Sequence, residues 1–307
     1  MSTRRDELGA VLLSRALLGF GWLLWRLPPV FSRACALGLT TFWNVFLPIR
    51  RQVARENLES AMGIELDVED RLEIVKRMVY NLSLNYLELL TLPFIGTGGV
   101  VSRFRWRGLQ ELDNALGAGR GALILSAHLG AFDLLACATA ARGYPVTIIS
   151  RTPRSSLTRA VWMGYRSAAG VHILPERGSL REVLKALRAG GLVVLVLDQN
   201  MHRDRGVFVD FFGRPACTLD SLAVIAMRTG APVVPAFTWR SDDGMHEAVF
   251  MPPVELARSG DAKVDIIKNT QRFTELLEQQ VRAHPEQWLW LHRRWRTQQE
   301  PASADMG

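Results

Sequence analysis

The chain has 307 residues, 48% of them hydrophobic and 22% charged, which excludes a disordered protein and predicts one large domain with a sizeable core. Its mean hydropathy of +0.07 is high for a water-soluble enzyme and directs attention to local apolar stretches. The net charge is +7, and only four of the 37 basic residues are lysines. Guanidinium groups bind phosphate and carboxylate bidentately, so the arginine excess fits anionic partners, although a general preference for arginine would produce it too.

The N-terminal region is the most apolar part of the chain. Residues Gly9 to Trp25 are interrupted only by Arg15. This stretch is slightly shorter than the ~20 residues that span a bilayer, so a full span and a helix lying in the interface are both open. A cleavable secretory signal is a third alternative, because Ala34-Cys35-Ala36 follows. A second apolar segment, Leu37 to Ile49, predicts another helix on the same surface, and we expect residues 1–50 to associate with a membrane.

A helical region follows, from about Arg50 to Leu92, in which apolar residues recur at intervals of three and four. Asp67 is expected to cap a helix within it, and Pro93 is expected to end that helix. The glycine-rich residues 96–99 are then expected to form an internal hinge.

From Arg107 onward, short apolar segments alternate with helical patterns. The predicted strands are Ala122 to Ala127, Pro145 to Ser150, Val171 to Leu174, Leu192 to Leu197, Val233 to Trp239 and Glu247 to Met251. The predicted helices are Leu109 to Leu116, Ala131 to Arg142, Arg154 to Ala168, Ser179 to Ala189, Leu219 to Arg228 and Val264 to Val281. Such alternation predicts an α/β fold in which helices cover both faces of a largely parallel sheet. We expect this domain to occupy residues 51–300 and residues 301–307 to be frayed.

The sharpest local feature is a histidine at the end of an apolar strand. His128 follows the strand, and Asp133 falls in the first turn of the next helix. Ligands bind at the carboxyl ends of strands in open α/β sheets, which makes His128 a candidate site residue. Asp133 is close enough in sequence to reach back, fix the imidazole tautomer and stabilise the imidazolium. A purely structural histidine–acid pair is the competing interpretation.

No nucleophile accompanies this pair. The chain has no Gly-x-Ser-x-Gly elbow, and none of its three cysteines lies in a comparable strand-to-helix turn. A base without a nucleophile predicts that the substrate supplies a hydroxyl, whose proton His128 takes as the oxygen attacks a thioester. Arg151 or nearby backbone N–H groups would then stabilise the oxyanion.

Basic residues cluster in one part of the sequence. Between Arg151 and Arg188, eight residues are basic and two are acidic. Arg151 and Arg177 are therefore candidates for binding an anionic substrate or the oxyanion. The cysteines, Cys35, Cys137 and Cys217, have no metal-ligand spacing with the histidines, so neither a zinc site nor a disulfide framework is indicated.

Four ordered blocks carry a family resemblance that extends from the N-terminus to about Arg296. They comprise His128 to Asp133, a His-x-x-x-x-acid motif; Asp198-Gln199, continuing through Gly206-Val207-Phe208-Val209 to Phe211-Phe212-Gly213 and Thr218; Pro285-Glu286-Gln287-Trp288; and His292-Arg293-Arg294-Trp295. The approach to Asn57-Leu58 and the segment Gly178 to Arg181 add to them. In these blocks the chain resembles the bacterial lipid A late acyltransferases and their relatives that acylate phosphatidylinositol mannosides. It differs from many members in having Asp, not Glu, at position 133.

The resemblance implies an acyl-thioester donor, usually acyl carrier protein with acyl-coenzyme A as the alternative, and a glycolipid acceptor. It places the reaction on the cytoplasmic face of the bacterial inner membrane and implies no metal or organic cofactor. Another glycolipid or an aminolipid is an alternative acceptor, and a non-catalytic protein of the membrane surface is an alternative function. A nucleic-acid partner is not expected, since no DNA- or RNA-binding motif is present.

Four further residues of the second block are candidates for the site. Asp198 and Gln199 either contact substrate or fix the loop that follows their strand. Phe211 and Phe212 either line an acyl groove or form a packed turn beside it.

Overall fold

The structure is a computed structural model that describes residues 2–46, 49–151 and 159–299. The described helices are α1 (Ser2–Arg26), α2 (Pro29–Val45), α3 (Arg51–Met62), α4 (Val68–Val101), α5 (Leu109–Gly117), α6 (Phe132–Ala141), α7 (Gly164–Ala168), α8 (Leu180–Arg188), α9 (Ser221–Thr229) and α10 (Ala262–Ala283). The strands are β1 (Phe104–Arg107), β2 (Ala122–Ser126), β3 (Val146–Ser150), β4 (His172–Pro175), β5 (Leu192–Val196), β6 (Gly206–Phe211), β7 (Arg214–Leu219), β8 (Val233–Arg240) and β9 (His246–Phe250).

Seven of these strands form one sheet in the order β1-β9-β8-β2-β5-β3-β4. Every neighbouring pair is parallel except β8 and β9, which are antiparallel. The middle strand, β2, is buried along its whole length, as expected for a strand covered on both faces. The predicted α/β class with a largely parallel sheet flanked by helices is confirmed.

The core is divided by the sheet into two apolar layers. One layer packs α3, α8, α9 and α10 against the sheet together with the C-terminal tryptophans Trp288, Trp290 and Trp295. The other packs α5, α6 and the end of α4 against the opposite face. A separate antiparallel hairpin, β6 and β7, packs on α10. Neither this hairpin nor β1 was predicted from the sequence.

The long helix α4 differs from its prediction. Asp67 caps it as expected, accepting a hydrogen bond from the backbone N–H of Asp70 at 2.8 Å. The helix does not end at Pro93 but continues to a kink at Gly96, whose φ of 67° is non-helical, and then resumes to Val101. Pro93 removes one backbone hydrogen bond and crowds the carbonyl four residues before it, which this packed helix accommodates, whereas Gly96 takes a backbone conformation that other residues rarely adopt. The break is therefore three residues later than expected.

The N-terminal helices lie on α4. α1 and α2 both pack against it, burying Leu24, Ala36, Leu84 and Leu87 in a small cluster of their own. Most of the exposed large apolar side chains of the described residues lie between Val11 and Ile49, on and next to these two helices. By length and composition alone, α4 is the helix of the described part that could cross a membrane, yet it also packs on α6.

Three further predictions can be placed. The helix expected over Arg154 to Ala168 is a π-helical turn at Arg159–Met163 followed by α7, and residues 152–158 lie outside the described part. Residues 47–48 of the second apolar segment and the expected tail, 301–307, also lie outside it.

Candidate active site

The site forms where two neighbouring strands end. β2 and β5 are parallel and in register, with Ser126 opposite Val196. The loop after β2 carries His128, and the loop after β5 carries Asp198 and Gln199, so the register brings these loops together at the carboxyl edge of the sheet. Ligands in open α/β sheets bind at this edge.

Asp198 holds the imidazole of His128. One carboxylate oxygen lies 2.8 Å from Nδ1 of His128, and the other accepts the backbone N–H of His128 at 2.8 Å. The second oxygen also accepts the indole N–H of Trp288 at 2.8 Å. Since Asp198 is an acceptor when ionised, the proton of a neutral His128 is on Nδ1 and its lone pair is on Nε2. That tautomer is the one a general base requires.

The electrostatics of this pair favour its charged form. Burial alone would lower the pKa of His128, but the adjacent Asp198 carboxylate and its hydrogen bond outweigh burial and raise that pKa above its ordinary value. Burial would raise the pKa of Asp198, but His128 and the hydrogen bonds from the His128 backbone and Trp288 lower it to about 2. Asp198 is therefore ionised at neutral pH and stabilises an imidazolium.

The acid paired with His128 is Asp198 and not Asp133, which corrects the predicted arrangement. Asp133 lies in the first turn of α6, as expected, but its carboxylate is bound by the guanidinium of Arg166. Both side chains are 8% exposed, and burial raises the pKa of Asp133 while Arg166 opposes that shift. Sequence distance favoured Asp133, whereas the register of β2 and β5 brings a residue 70 positions away to Nδ1.

Gln199 occupies the other side of the imidazole ring. Its side-chain nitrogen lies 3.2 Å from Nε2 of His128, so the amide donates to the lone pair. Both candidates of the second block, Asp198 and Gln199, are thus in contact with His128.

The C-terminal block holds the histidine loop in place. The backbone N–H of Leu289 donates to the carbonyl of His128 at 3.2 Å, and that of Gly130 donates to the carbonyl of Gln287 at 2.9 Å. Gly130 has a φ of +55°, and an added Cβ would lie 2.2 Å from the carbonyl oxygen of Thr238, so only glycine fits there. The family block around Trp288 therefore supports His128 through both backbone and side chain.

A buried polar network fixes the same loop from the side of α4. The amide of Asn85 donates to the Gly130 carbonyl at 2.8 Å and accepts from Arg240 at 2.7 Å. Arg240 also binds Glu88 through both terminal guanidinium nitrogens, Nη1 and Nη2. Nε2 of His246 lies 2.9 Å from the Glu88 carboxylate. None of these residues was singled out in the sequence, because their partners are 45 to 158 positions away.

His128 opens onto a cavity of about 340 Å³, a size typical of small-ligand sites. α4 contributes an apolar wall to it, and the polar groups converge at the histidine. The cavity lining includes Met78, Leu82 and Tyr86 of α4, together with Phe132, Trp162, Arg166 and Gln199. Arg166 was missed in the sequence, where it appears as one basic residue among eight; its position one turn after Trp162 on an apolar helix was the available signal.

The two arginines predicted as anion ligands have different positions. Arg151 lines the cavity, but its side chain is 85% exposed and donates to Glu176 at 3.0 Å, which places it at the mouth. Arg177 is exposed in the bend after β4 and does not line the cavity. Glu176 binds Arg205 as well, at 2.9 Å, so one carboxylate joins two cations beside the entrance.

Phe211 and Phe212 lie beneath the site. Phe211 is fully buried and packs against Trp288 and Trp295, and Phe212 packs against Trp290. Neither residue lines the cavity. They form the packed turn of the β6–β7 hairpin, because the C-terminal tryptophans cover them.

Within residues 2–46, 49–151 and 159–299, no group of three or more His, Cys, Asp and Glu side chains is arranged to hold a metal ion. The polar groups of the described site are a histidine, a buried carboxylate, an amide and a buried arginine.

Comparison with known proteins gives this geometry a context. A phosphatidylinositol mannoside acyltransferase of Mycobacterium tuberculosis is 33% identical over 193 residues, which is 61% of this chain and 58% of that protein. The chain therefore aligns with less than two thirds of this relative. A lipid A biosynthesis palmitoleoyltransferase of Escherichia coli is 25% identical over 283 residues, 91% of this chain and 90% of that protein. A lipid A biosynthesis lauroyltransferase of the same species is 25% identical over 292 residues, 92% of each chain.

The family model described as bacterial lipid A biosynthesis acyltransferase matches residues 4–297. That match includes His128, Asp133, Asp198 and Trp288, and it extends over nearly the whole chain. The resemblance inferred from the sequence motifs is therefore confirmed, and the chain belongs to the bacterial lipid A biosynthesis acyltransferase family.

Proposed function

We propose that this chain transfers a fatty acyl group from an acyl thioester to a hydroxyl of a lipid A-type glycolipid, with His128 as the general base. The observation that carries the proposal is the pair formed by His128 and Asp198, which faces a partly apolar cavity. Ser150 also lines that cavity, but in the described structure its hydroxyl is hydrogen-bonded to Arg166 and to the Arg151 carbonyl and makes no hydrogen bond to His128. Membership of an acyltransferase family supports the same reaction.

The reaction follows from the positions of these groups. The acceptor hydroxyl replaces the amide of Gln199 on Nε2 of His128, and its oxygen attacks the thioester carbonyl carbon as its proton passes to Nε2. Asp198 stabilises the resulting imidazolium through Nδ1. The tetrahedral intermediate then re-forms its carbonyl and breaks the C–S bond, and the leaving thiolate takes the proton from Nε2.

The oxyanion requires a donor close to Nε2. The amide nitrogen of Gln199 lies 3.2 Å from Nε2, so a small movement brings it to an oxygen bound beside the base. Arg151 is less suitable, because its side chain is exposed and bound to Glu176.

Asp133 acts through Arg166 in this proposal. The guanidinium of Arg166 is buried on the cavity wall, and Asp133 fixes its position there. Its Nε is buried and has no hydrogen-bond partner in the described structure.

We also propose that α1 and α2 bind the bacterial inner membrane from its cytoplasmic face. Their exposed side chains include Trp22, Trp25, Phe42 and Phe46, and exposed apolar area of this extent marks an interaction surface. α4 both packs on these helices and lines the cavity, which sets the site beside the proposed lipid surface.

A phosphatidylinositol mannoside-type glycolipid is the second candidate acceptor. The mycobacterial relative supports it, because it has a higher identity over a shorter segment than the Escherichia coli relatives. The base and its carboxylate serve either acceptor, since both offer hydroxyl groups.

The test is transfer of a radiolabelled acyl group by the full chain in detergent. Acyl carrier protein and coenzyme A thioesters are the donors, and a lipid A precursor and a phosphatidylinositol mannoside are the acceptors. His128→Ala is expected to reduce kcat/KM by about 10³-fold, within the range for loss of a general base. His172→Ala, which alters an exposed histidine on β4, is the matched control and is expected to change nothing.

The possible outcomes distinguish the acceptor, the mechanism and the enzymatic activity itself. Transfer to the mannoside alone would replace the acceptor and retain the mechanism. Activity that survives in His128→Ala would refute the mechanism. A wild-type chain that acylates no glycolipid would support a non-catalytic protein of the membrane surface.

A further inference from the structure

A stripe of basic side chains runs along the outer face of α8. Arg181, Lys185 and Arg188 are spaced by four and three residues, which places them on one side of a helix of 3.6 residues per turn. Val183 and Leu187 are buried on the opposite side, in the core layer of the sheet. The packing of α8 therefore requires only its inner face, and the three cations are not needed to hold the helix.

No carboxylate of the described residues neutralises these cations. Arg181, Lys185 and Arg188 are all exposed, and none makes an ion pair or side-chain hydrogen bond in the described structure. Other arginines of this chain are paired: Arg282, for example, binds Glu65 and Glu278. Glu182 is the exposed acid of α8 and lies three residues from Lys185, but it forms no ion pair with Lys185 or Arg181 in the described structure.

The stripe begins beside the mouth of the cavity. α8 follows β4 after a short bend that contains Glu176 and Arg177, and Glu176 is bound to Arg151 of the cavity lining. From Arg181 to Arg188 the helix advances about 10 Å. A positive surface therefore extends from the entrance of the site, through the exposed Arg177, along the outside of the domain.

We propose that this stripe, Arg181, Lys185 and Arg188, docks an acidic carrier protein whose thioester enters at Arg151. The inference rests on the proposed function, since it assigns the donor of that reaction. Opposite charges steer such an encounter and fix its register. A lipid surface is a poorer match: apart from Leu180, the exposed residues of α8 are charged, whereas the exposed apolar side chains of a lipid-binding face lie on α1 and α2.

The test compares thioester donors that differ in the group to which the sulfur is attached. The triple variant Arg181→Glu, Lys185→Glu, Arg188→Glu is assayed as the full chain in detergent with acyl carrier protein, acyl-coenzyme A and acyl-pantetheine, which bears no protein and no phosphate. We expect KM for acyl carrier protein to rise at least about tenfold, since three docking contacts become repulsive. The kinetic parameters for acyl-pantetheine are expected to stay within about twofold, because the stripe lies outside the cavity.

The matched control makes the same change of charge on another part of the surface. Arg120→Glu, Arg228→Glu, Lys263→Glu alters three exposed cations near the opposite edge of the sheet and is expected to leave all three donors unaffected. Equal loss with every donor would overturn the docking proposal in favour of a defect in the site, or of lipid binding if vesicle association fell as well. Loss with coenzyme A but not pantetheine would assign the stripe to nucleotide phosphates instead.

The outcomes also separate this inference from the proposed function. A wild-type chain that uses acyl-pantetheine but shows no charge dependence with the carrier protein would refute only the docking surface. A wild-type chain without activity towards any thioester would refute the function itself.

Discussion

The site around His128 and the helices α1 and α2 differ in how far their side chains find partners within the protein. At the site, both oxygens of Asp198 are hydrogen-bonded, both nitrogens of His128 have partners, and the supporting backbone is fixed by distant segments. α1 and α2 instead bury few side chains and expose aromatic and branched ones. The first region is complete within the protein, whereas the second lacks a partner, and we infer that the membrane supplies it.

The largest loss of activity is expected at Asp198, whose two carboxylate oxygens are both hydrogen-bonded. Asp198→Asn preserves the shape of the side chain but removes the charge that stabilises the imidazolium, and kcat/KM should fall by roughly 10³- to 10⁴-fold. Because Asp198 raises the pKa of His128, the neutral base of the wild type appears only above an ordinary histidine pKa. The acid limb of residual activity in Asp198→Asn should therefore move to lower pH, since the charge of Asp198 no longer opposes the effect of burial on the pKa of His128.

A pH–rate profile of both proteins measures this shift. Asp204→Asn, an exposed aspartate near the hairpin, is the matched control and should have the wild-type profile. An unchanged acid limb in Asp198→Asn would show that Asp198 does not set the pKa of the catalytic base.

The second expected effect is on stability. Arg166→Ala leaves the Asp133 carboxylate buried without its partner, which should lower the free energy of unfolding by about 3–5 kcal/mol. Arg282→Ala removes partly exposed pairs with Glu65 and Glu278 and should cost only about 0–1 kcal/mol for each pair. Urea unfolding in detergent compares the two. The double variant Asp133→Asn, Arg166→Met should recover part of the loss, and no recovery would mean that the charges are not coupled.

The sequence predicted the fold better than the site because strands and helices follow from neighbouring residues, whereas the site joins residues that are far apart in the sequence. Strands such as β2 and β5 are continuous apolar segments, so local pattern was sufficient to locate them. In the hairpin, β6 has only the short apolar run Val207 to Val209, which was assigned to a motif block, and β7 has no comparable run, so both strands were missed. His128 was found because it ends a strand, but its partner was assigned to Asp133, five residues away, since sequence alone does not give the order of strands. The motif blocks included Asp198, but the sequence did not indicate that it contacts His128.

A third prediction concerns Gln199, which contacts the base without changing its charge. Gln199→Ala removes the proposed oxyanion donor and should lower kcat by about 10²-fold with little change in KM. The acid limb should stay in place, in contrast to Asp198→Asn. Gln110→Ala, at an exposed glutamine of α5, is the control. If kcat were unaffected and KM rose instead, Gln199 would be a ground-state binding residue.

The smallest effect on catalysis is expected from the exposed helices, where the change should appear in membrane binding instead. Phe42 and Phe46 are 49% and 68% exposed, and their ring centroids are 5.4 Å apart. Burying each ring in lipid is worth about 1.5–3 kcal/mol, so Phe42→Asp with Phe46→Asp should weaken partitioning into anionic vesicles by more than about tenfold. Its kcat in detergent should equal that of the wild type. Ile64→Asp, which changes a fully exposed apolar residue outside these helices, should bind vesicles normally. Equal vesicle binding by all three proteins would mean that α1 and α2 need a protein partner, because their exposed apolar faces would then have no role at a lipid surface.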